Sequence, residues 1–500
     1  MFLIIFVITS LILIYIKLTN LYSTWTKKGI KQTKPLFLLG DNAGTILGSQ
    51  SVYDSMKNLY NSFPNERYFG MYQLTLPTIQ VNDPDLIKTI AIKDFDHFVN
   101  HRQFLPGGVE PMWTKNLLSM QNSDWKHMRT TLTPSFTSNK MKSIFNLISE
   151  VSQNYVEHFK INKHINEIEL KNFSTRYTND VIASVAFGIQ CDSLKYPEND
   201  FFVAASNITN GKGLRLFAFL GYIIFPRLFK MLNIPAFSRS ATNFLKNAVL
   251  ETIKTREKHN IVRPDMIHLL MEMKNDSKST QIGFSDEDIA AQAFIFYLGG
   301  FETVSATIFL LGHCLSTHPN VQRKLQKEID DTLKDCNGKL TYEALLKMKY
   351  LDMVISETLR MWPSLPNTDR VCTKPYTLPP SNEKGKPLDI YPGQPIIFPI
   401  MAMHYDPKYF PNPNEWDPER FSDENREKIH PYAYLPFGIG PRNCIGSRLA
   451  QLEIKIFYFN LLSQFNLVKT DKTVIPLQLH KRSFNMNTQH DIWVGVKERI

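Results

Sequence analysis

Apolar side chains return at helical spacing from about residue 50 to residue 370. Ser51 to Phe63, Met141 to Phe159 and Tyr177 to Phe187 each carry such a stripe, which predicts amphipathic helices. The most apolar interior stretch runs from Asp286 to Cys314. Asp286, Glu287 and Asp288 gather at its start, where a helix dipole favours acidic groups. Thr341 to Trp362 predicts one more helix, closed by Pro363. Beyond that proline the pattern changes. Prolines recur from Pro363 to Pro399, Tyr376–Leu378 and Gln394–Phe398 read as strands, and a loop-rich stretch continues through Arg420. Cys444 to Phe465 predicts a last helix. The expected fold class is mainly α, a large helical body with a small β region near its carboxyl third.

Two apolar segments stand apart. Phe2 to Ile16 is apolar except for Thr9 and Ser10, and Lys17 ends the run. As a helix it spans about 22 Å of the roughly 30 Å hydrocarbon core, and a snorkelling Lys17 with Tyr22 and Trp25 at the interface extends its reach. No basic residue precedes the run and no small-x-small cleavage site follows it, which favours a signal-anchor over a cleaved signal peptide. Lys27, Lys28, Lys31 and Lys34 place the following chain on the cytoplasmic side. The expected organisation is a transmembrane signal-anchor at 1–25, a basic linker at 26–45 and one folded unit at 46–500. The second segment, Leu214 to Ile234, is interrupted by Pro226. It reads either as a buried core helix or as a loop dipping into the bilayer beside the anchor.

Chain length alone would suggest several domains, yet the 43% of residues that are hydrophobic are spread evenly enough for one large core. The net charge of +10 favours an acidic partner or an anionic membrane surface. Nucleic acid is not expected, because the basic residues are dispersed and no nucleic-acid motif is present. Cys191, Cys314, Cys336, Cys372 and Cys444 lie far apart, which matches neither a disulfide framework nor a zinc pattern. A scattered set suits a reducing compartment. It leaves one cysteine of special context as a ligand or nucleophile candidate.

That context is Phe437 to Gly446. Gly438 and Gly440 make a tight turn before Cys444, and Gly446 follows where a helix is expected to begin. A thiol at a helix amino terminus, near Arg442, is pushed toward thiolate. Phe437 shields the sulfur from water, although a buried structural cysteine in a glycine turn has the same local pattern. On the helix before Pro363, Glu357 and Arg360 are spaced to share one face, as ordinary surface pairs also are. In the long interior helix Gly299 and Gly300 lower helix propensity by roughly 1 kcal/mol each. Either a neighbouring helix or a ligand must come close there.

Together these segments resemble the cytochromes P-450. Phe437, Gly440, Arg442, Cys444 and Gly446 fill every defined position of that family's haem-binding loop, Phe-x-x-Gly-x-Arg-x-Cys-x-Gly. The resemblance implies that haem b (heme b) is the cofactor and that Cys444 is the metal ligand, an axial thiolate that favours O–O cleavage. It joins Glu357 and Arg360 to Arg420 of Pro418-Glu-Arg-Phe421 as a buried structural triad. It identifies Gly299 to Thr303 with the oxygen-binding groove, where Gly300 gives access, Thr303 holds a distal water network and Glu302 relays protons. Val304 departs from the hydroxyl residue many relatives carry, though Ser305 follows. For the haem propionates the matched positions are Trp125, Arg129, Arg370 and Arg442, with His101 where relatives carry an arginine. The same comparison draws the substrate pocket from Phe104, Met112, Trp113, Leu118, Phe294, Phe301, Leu365, Phe484 and Met486, a wall suited to bulky apolar ligands.

The matches run through nearly the whole chain and look closest to the insect microsomal branch, families six and nine. The linker departs from the proline-rich hinge of many microsomal relatives, since only Pro35 remains. The implied activity is a monooxygenase that inserts one oxygen atom of O2 into a lipophilic substrate. Its electrons would come from NADPH through an acidic flavoprotein reductase, since no nucleotide-binding fingerprint is visible here. Lys126, Arg129, Arg323, Lys324 and Arg448 are candidate basic contacts for that reductase. The implied location is the endoplasmic reticulum membrane, with the catalytic unit on its cytoplasmic face. Two other classes stand beside this one. A haem-thiolate isomerase or dehydratase would rearrange peroxides without O2 or reductase, and a non-catalytic haem or lipid carrier would bind without turnover.

Overall fold

Local capping and buried apolar faces account for the main elements of this computed structural model, which describes residues 2–209, 218, 221–275, 284–481 and 486–499. In chain order these are α1 (Phe2–Leu21), α2 (Val52–Asn61), β1 (Tyr68–Gln73), β2 (Leu76–Val81), α3 (Asn122–Leu132), α4 (Ser138–Ile161), β3 (Glu167–Glu169) and α5 (Leu170–Ile182). There follow α6 (Asp200–Thr209), α7 (Arg239–His259), α8 (Met266–Asn275), α9 (Asp286–Thr317), α10 (Pro319–Asp335) and α11 (Lys349–Met361). The rest are β4 (Thr368–Val371), β5 (Tyr376–Leu378), β6 (Leu388–Ile390), β7 (Pro395–Phe398), α12 (Ser447–Gln464), β8 (Phe465–Val468) and β9 (Trp493–Glu498).

The acidic start read from the sequence of α9 is a capping box. The Ser285 hydroxyl accepts from the Asp288 amide, and the Asp288 carboxylate accepts from the Ser285 amide. Apolar enough to cross a membrane, α9 is instead the central helix of the fold, with 61% of its most apolar window buried. It packs along α5 and α7 and meets α10, α11 and α12. By contrast α1 turns Phe2, Ile5, Phe6, Ile8, Leu13 and Ile16 outward.

Where one helix was expected from Thr341 to Trp362, there are two, Tyr342–Leu346 and α11. The break has a non-local cause. Glu328 on α10 accepts from the amides of Tyr350 (2.7 Å) and Leu351 (2.9 Å), so its carboxylate caps a new helix start. The β region also reaches beyond the carboxyl third. The β1–β2 hairpin joins β7 and β4 in one sheet, with β2 parallel to β7 at Ile79↔Ile396. These strands escape sequence reading because β1 is buried on both faces and shows no polar–apolar alternation. Of the apolar segment 214–234, residues 214–217, 219 and 220 lie outside the described residues. The remainder divides between both readings. Tyr222 and Phe229 are buried with Leu105 and Ala236, whereas Ile224, Phe225, Leu228, Met231 and Leu232 are exposed.

Candidate active site

Phe437 to Gly446 forms a tight loop because Gly438 and Gly440 take left-handed φ angles of 74° and 70°. A Cβ on Gly440 would lie 2.1 Å from the Ala91 carbonyl oxygen. The Cys444 amide donates to the Phe437 carbonyl (2.9 Å) and the Asn443 amide to that of Gly440 (3.0 Å). Gly446 is the N-cap of α12, and its amide donates to the Cys444 sulfur. Cys444 is solvent-accessible yet desolvated by its surroundings, which places it on the wall of a recess.

Burial raises the Cys444 thiol, and the Gly446 amide and Arg129 oppose that without cancelling it. The expected activation by Arg442 is therefore corrected. The Arg442 guanidinium donates to the carbonyls of Val99 (2.8 Å), Leu117 (3.4 Å) and Met120 (2.8 Å) and lies 4.0 Å from the Trp125 ring centroid. Such a sulfur suits a metal ligand better than a free nucleophile, because a coordinated ion deprotonates a thiol outright. Among the described residues no three His, Cys, Asp or Glu side chains gather to hold a bare ion. A metal here would have to arrive with ligands of its own.

His101, Arg129, Arg370 and Arg442 cluster beside this loop. Arg129 donates to the Asn443 carbonyl (2.9 Å) and to its side-chain oxygen (2.8 Å). Arg370, fully buried in β4, donates to the carbonyls of Asp369 (2.6 Å) and Ile439 (2.7 Å), while its Nε has no partner. Burial pulls Arg370 down to about 10. Burial, with Arg370 and Arg129 nearby, pulls Arg442 to about 9, so both stay charged at neutral pH. Burial also lowers His101, aided by the two arginines and opposed by Asp369 at 3.0 Å. Asp369 is the counter-charge. Burial would raise it, but His101, the Arg102 amide at 2.6 Å and Arg370 together hold it below the usual carboxylate range. An orphaned guanidinium nitrogen and an excess of desolvated cations fit a dianion such as the two propionates of a haem.

On α9 the Thr303 hydroxyl donates to the Gly299 carbonyl (2.5 Å). The two glycines differ in cause. A Cβ on Gly299 would meet nothing within 4 Å, whereas one on Gly300 would meet Ile182 of α5 at 2.9 Å. Glu302 and Thr303 are half-buried. Of the expected pocket residues, Phe104, Leu118 and Leu365 keep large accessible surfaces, and Met112 and Trp113 are partly buried. Phe294, Phe301 and Met486 are packed into the main core, with Phe301 stacked on Tyr297 at 5.7 Å. Phe484 lies outside the described residues.

Glu357, Arg360 and Arg420 are brought together. Glu357 accepts from Arg360 twice (2.8 Å each), from Arg420 (3.3 Å) and from the Asp417 amide (3.0 Å). His404, which sequence reasoning missed, links this group to the cysteine-loop approach. The Leu435 amide donates to its Nε2 (2.9 Å), so Nδ1 carries the proton given to the Arg360 carbonyl (3.0 Å). Asp369 and Ser364 were also missed, since neither stands in a spacing that announces its partner. Lys126 and Lys324, candidate docking residues, are paired with Asp96 and Glu419. Arg323 donates to Asn320 and Arg448 to the Phe136 carbonyl (3.4 Å).

Over residues 31–493 the chain, a helical body around one long central helix with Cys444 on a glycine loop, matches the family model for cytochrome P450. The chain belongs to the cytochrome P450 family, and its enzymatic class is the haem-thiolate monooxygenases. It is 44% identical to cytochrome P450 9e2 of Blattella germanica, over 99% of this chain and 97% of that one. It is 39% identical to the probable cytochrome P450 9f2 of Drosophila melanogaster, over 94% of each chain. It is 36% identical to the probable cytochrome P450 6a13 of Drosophila melanogaster, over 98% of this chain and 97% of that one.

Proposed function

We propose that this chain is a microsomal monooxygenase that inserts one atom of O2 into a bulky apolar substrate, with electrons passed from NADPH by a flavoprotein reductase. Cys444 would hold haem b, with Arg129, Arg370 and Arg442 facing its propionates, Trp125 beside them and His101 contributing through Asp369. When bound, the haem supplies reductive activation of O2, and a thiolate ligand favours O–O cleavage. Phe437 and the Gly446 amide keep water from the sulfur and fix its orientation. Thr303 donates its hydroxyl proton to the Gly299 carbonyl and so keeps its lone pairs for a water proton, which Glu302 replenishes. Phe104, Leu118 and Leu365 offer apolar surface to the substrate. In this reading α1 anchors the chain in the endoplasmic reticulum membrane, and the exposed Phe225, Leu228, Met231 and Leu232 lie against the same bilayer.

The observation that carries this reading is the accessible sulfur of Cys444 on its glycine loop, within reach of a cluster of cations. The test is the carbon monoxide difference spectrum of the reduced full chain in membranes. A strongly red-shifted Soret band, lost in Cys444→Ala, is expected. A band typical of histidine-ligated haem from well-folded protein would overturn the assignment. NADPH-dependent turnover with reductase then separates this activity from peroxide rearrangement.

A further inference from the structure

Hydroxyl groups hold the middle of α9. Thr303 donates to the Gly299 carbonyl (2.5 Å), Thr178 of α5 to that of Phe301 (3.0 Å) and Ser305 to that of Glu302 (3.0 Å). The carbonyl of Thr303 itself accepts from two hydroxyls, Thr307 (3.1 Å) and Ser364 (3.2 Å). Hydroxyls that bond helix carbonyls bend a helix and loosen its ladder at that point. Thr303, Ser305 and Thr307 act within α9, and Thr178 is buried where α5 packs along α9. Ser364 is different. It lies on the turn between α11 and β4, next to Leu365, a residue 59% exposed. The same turn is pinned by the Met401 amide on the Pro366 carbonyl (2.9 Å) and leads to Arg370, which bonds the cysteine loop at Ile439.

We propose that Ser364 is a positioning residue that ties the substrate-facing turn at Leu365 to the carbonyl of Thr303. A bulky apolar substrate pressing on Leu365 thereby sets how the Thr303 hydroxyl is presented for proton delivery. This rests on the reading of α9 as the oxygen groove. Loosening the tie misplaces the proton source. O2 that has received two electrons then leaves with two protons as hydrogen peroxide, instead of giving one oxygen atom to substrate and the other to water.

The experiment compares Ser364→Ala, Ser364→Thr and Thr303→Ala in the haem-loaded full chain with reductase. Peroxide released per NADPH is measured together with amide hydrogen exchange over residues 303–308. Ser364→Ala should keep the carbon monoxide band but raise both peroxide yield and amide exchange by about fivefold, the factor one lost neutral hydrogen bond is worth. Ser364→Thr, which keeps the hydroxyl, should restore both. Adding Ser364→Ala to Thr303→Ala should change the peroxide yield no further. If the alanine variant does not fold, Ser364→Cys keeps the volume without the strong donor and carries the same comparison. Thr303→Ala that releases peroxide while Ser364→Ala does not would overturn this proposal alone. A threonine variant as leaky as the alanine one would overturn it too, by pointing to packing. Thr303→Ala without peroxide would overturn the groove reading, and the Ser364 role with it.

Discussion

Two groups of buried charge flank the cysteine loop, and they are built differently. Around Glu357 the carboxylate accepts from two guanidinium groups and an amide. Arg360 also donates to the carbonyls of His404 and Glu415 (2.9 and 3.1 Å). Around Asp369 a single carboxylate faces His101, Arg370 and Arg442, and one guanidinium nitrogen is orphaned. The first group is complete in itself and fixes the frame. The second becomes complete only with a further anion, as a binding edge must. A buried ion pair is thus not one kind of feature, because its role depends on whether the protein partners every buried charged donor.

The largest effect should follow from breaking the complete group. Glu357→Gln leaves two guanidinium groups facing a neutral amide at a site with no exposure, and removing one partner of such a pair costs about 3–5 kcal/mol. Thermal unfolding and the yield of folded protein report it. A variant that melts with the parent would remove the distinction between the two groups.

Arg370→Met should act unequally on two measurements. Without haem, the chain should melt close to the parent, because losing a buried unpartnered nitrogen offsets part of the cost of leaving the Asp369 and Ile439 carbonyls without their donor. With haem, release to an acceptor protein should quicken by about 10- to 100-fold, the factor for a lost hydrogen bond to a charged group. A loss of stability in both forms would make Arg370 part of the frame.

Acid should weaken the frame next. Burial, and to a lesser degree the Arg360 charge, pulls His404 to about 3, although its bond to the Arg360 carbonyl acts the other way. Burial pulls His313 to about 4. Both lie below an unfolded value of about 6.5, so unfolding takes up protons below that pH. Their contribution is present above about 6.5 and is lost as pH falls toward the folded values, by about 2 kcal/mol each at pH 5. Burial raises Glu453, which works in the opposite direction, so the informative quantity is a difference between variants. His404→Gln should reduce the stability lost between pH 7 and pH 5, measured by denaturant unfolding at each pH.

The sequence made the complete group more legible than the open one. Glu357 and Arg360 sit one helical turn apart, and Arg420 lies in a recognisable tetrapeptide, so spacing and motif named all three. His404 bridges Arg360 to Leu435 through both ring nitrogens, which no local spacing reveals. At the open edge the cations were readable by resemblance, whereas Asp369, the charge that organises them, was not. The same division holds for the fold. The extent of α9 was visible in its own composition and acidic start, but the break before α11 is made by Glu328 on another helix. Position-specific local signals survive in a sequence; a partner chosen by tertiary contact does not.

The smallest effect tests whether desolvation, and not charge pairing as such, separates these groups. Glu419 precedes Arg420 in the same turn, Pro418–Phe421, and pairs with Lys324. The side chains of Lys324 and Glu419 are 55% and 46% exposed, whereas Glu357 has no exposure. The two ion pairs thus meet at one turn, and they differ sharply in their exposure to solvent. Water stabilises each exposed charge when its partner is removed, so Lys324→Ala should change stability by less than about 1 kcal/mol, with even that difference shrinking in high salt. Lys324 also lies 4.4 Å from the Tyr350 ring, so Lys324→Met, which keeps the aliphatic contact, separates packing from charge. Should either variant melt as far below the parent as Glu357→Gln does, the turn itself and not buried charge would hold the frame.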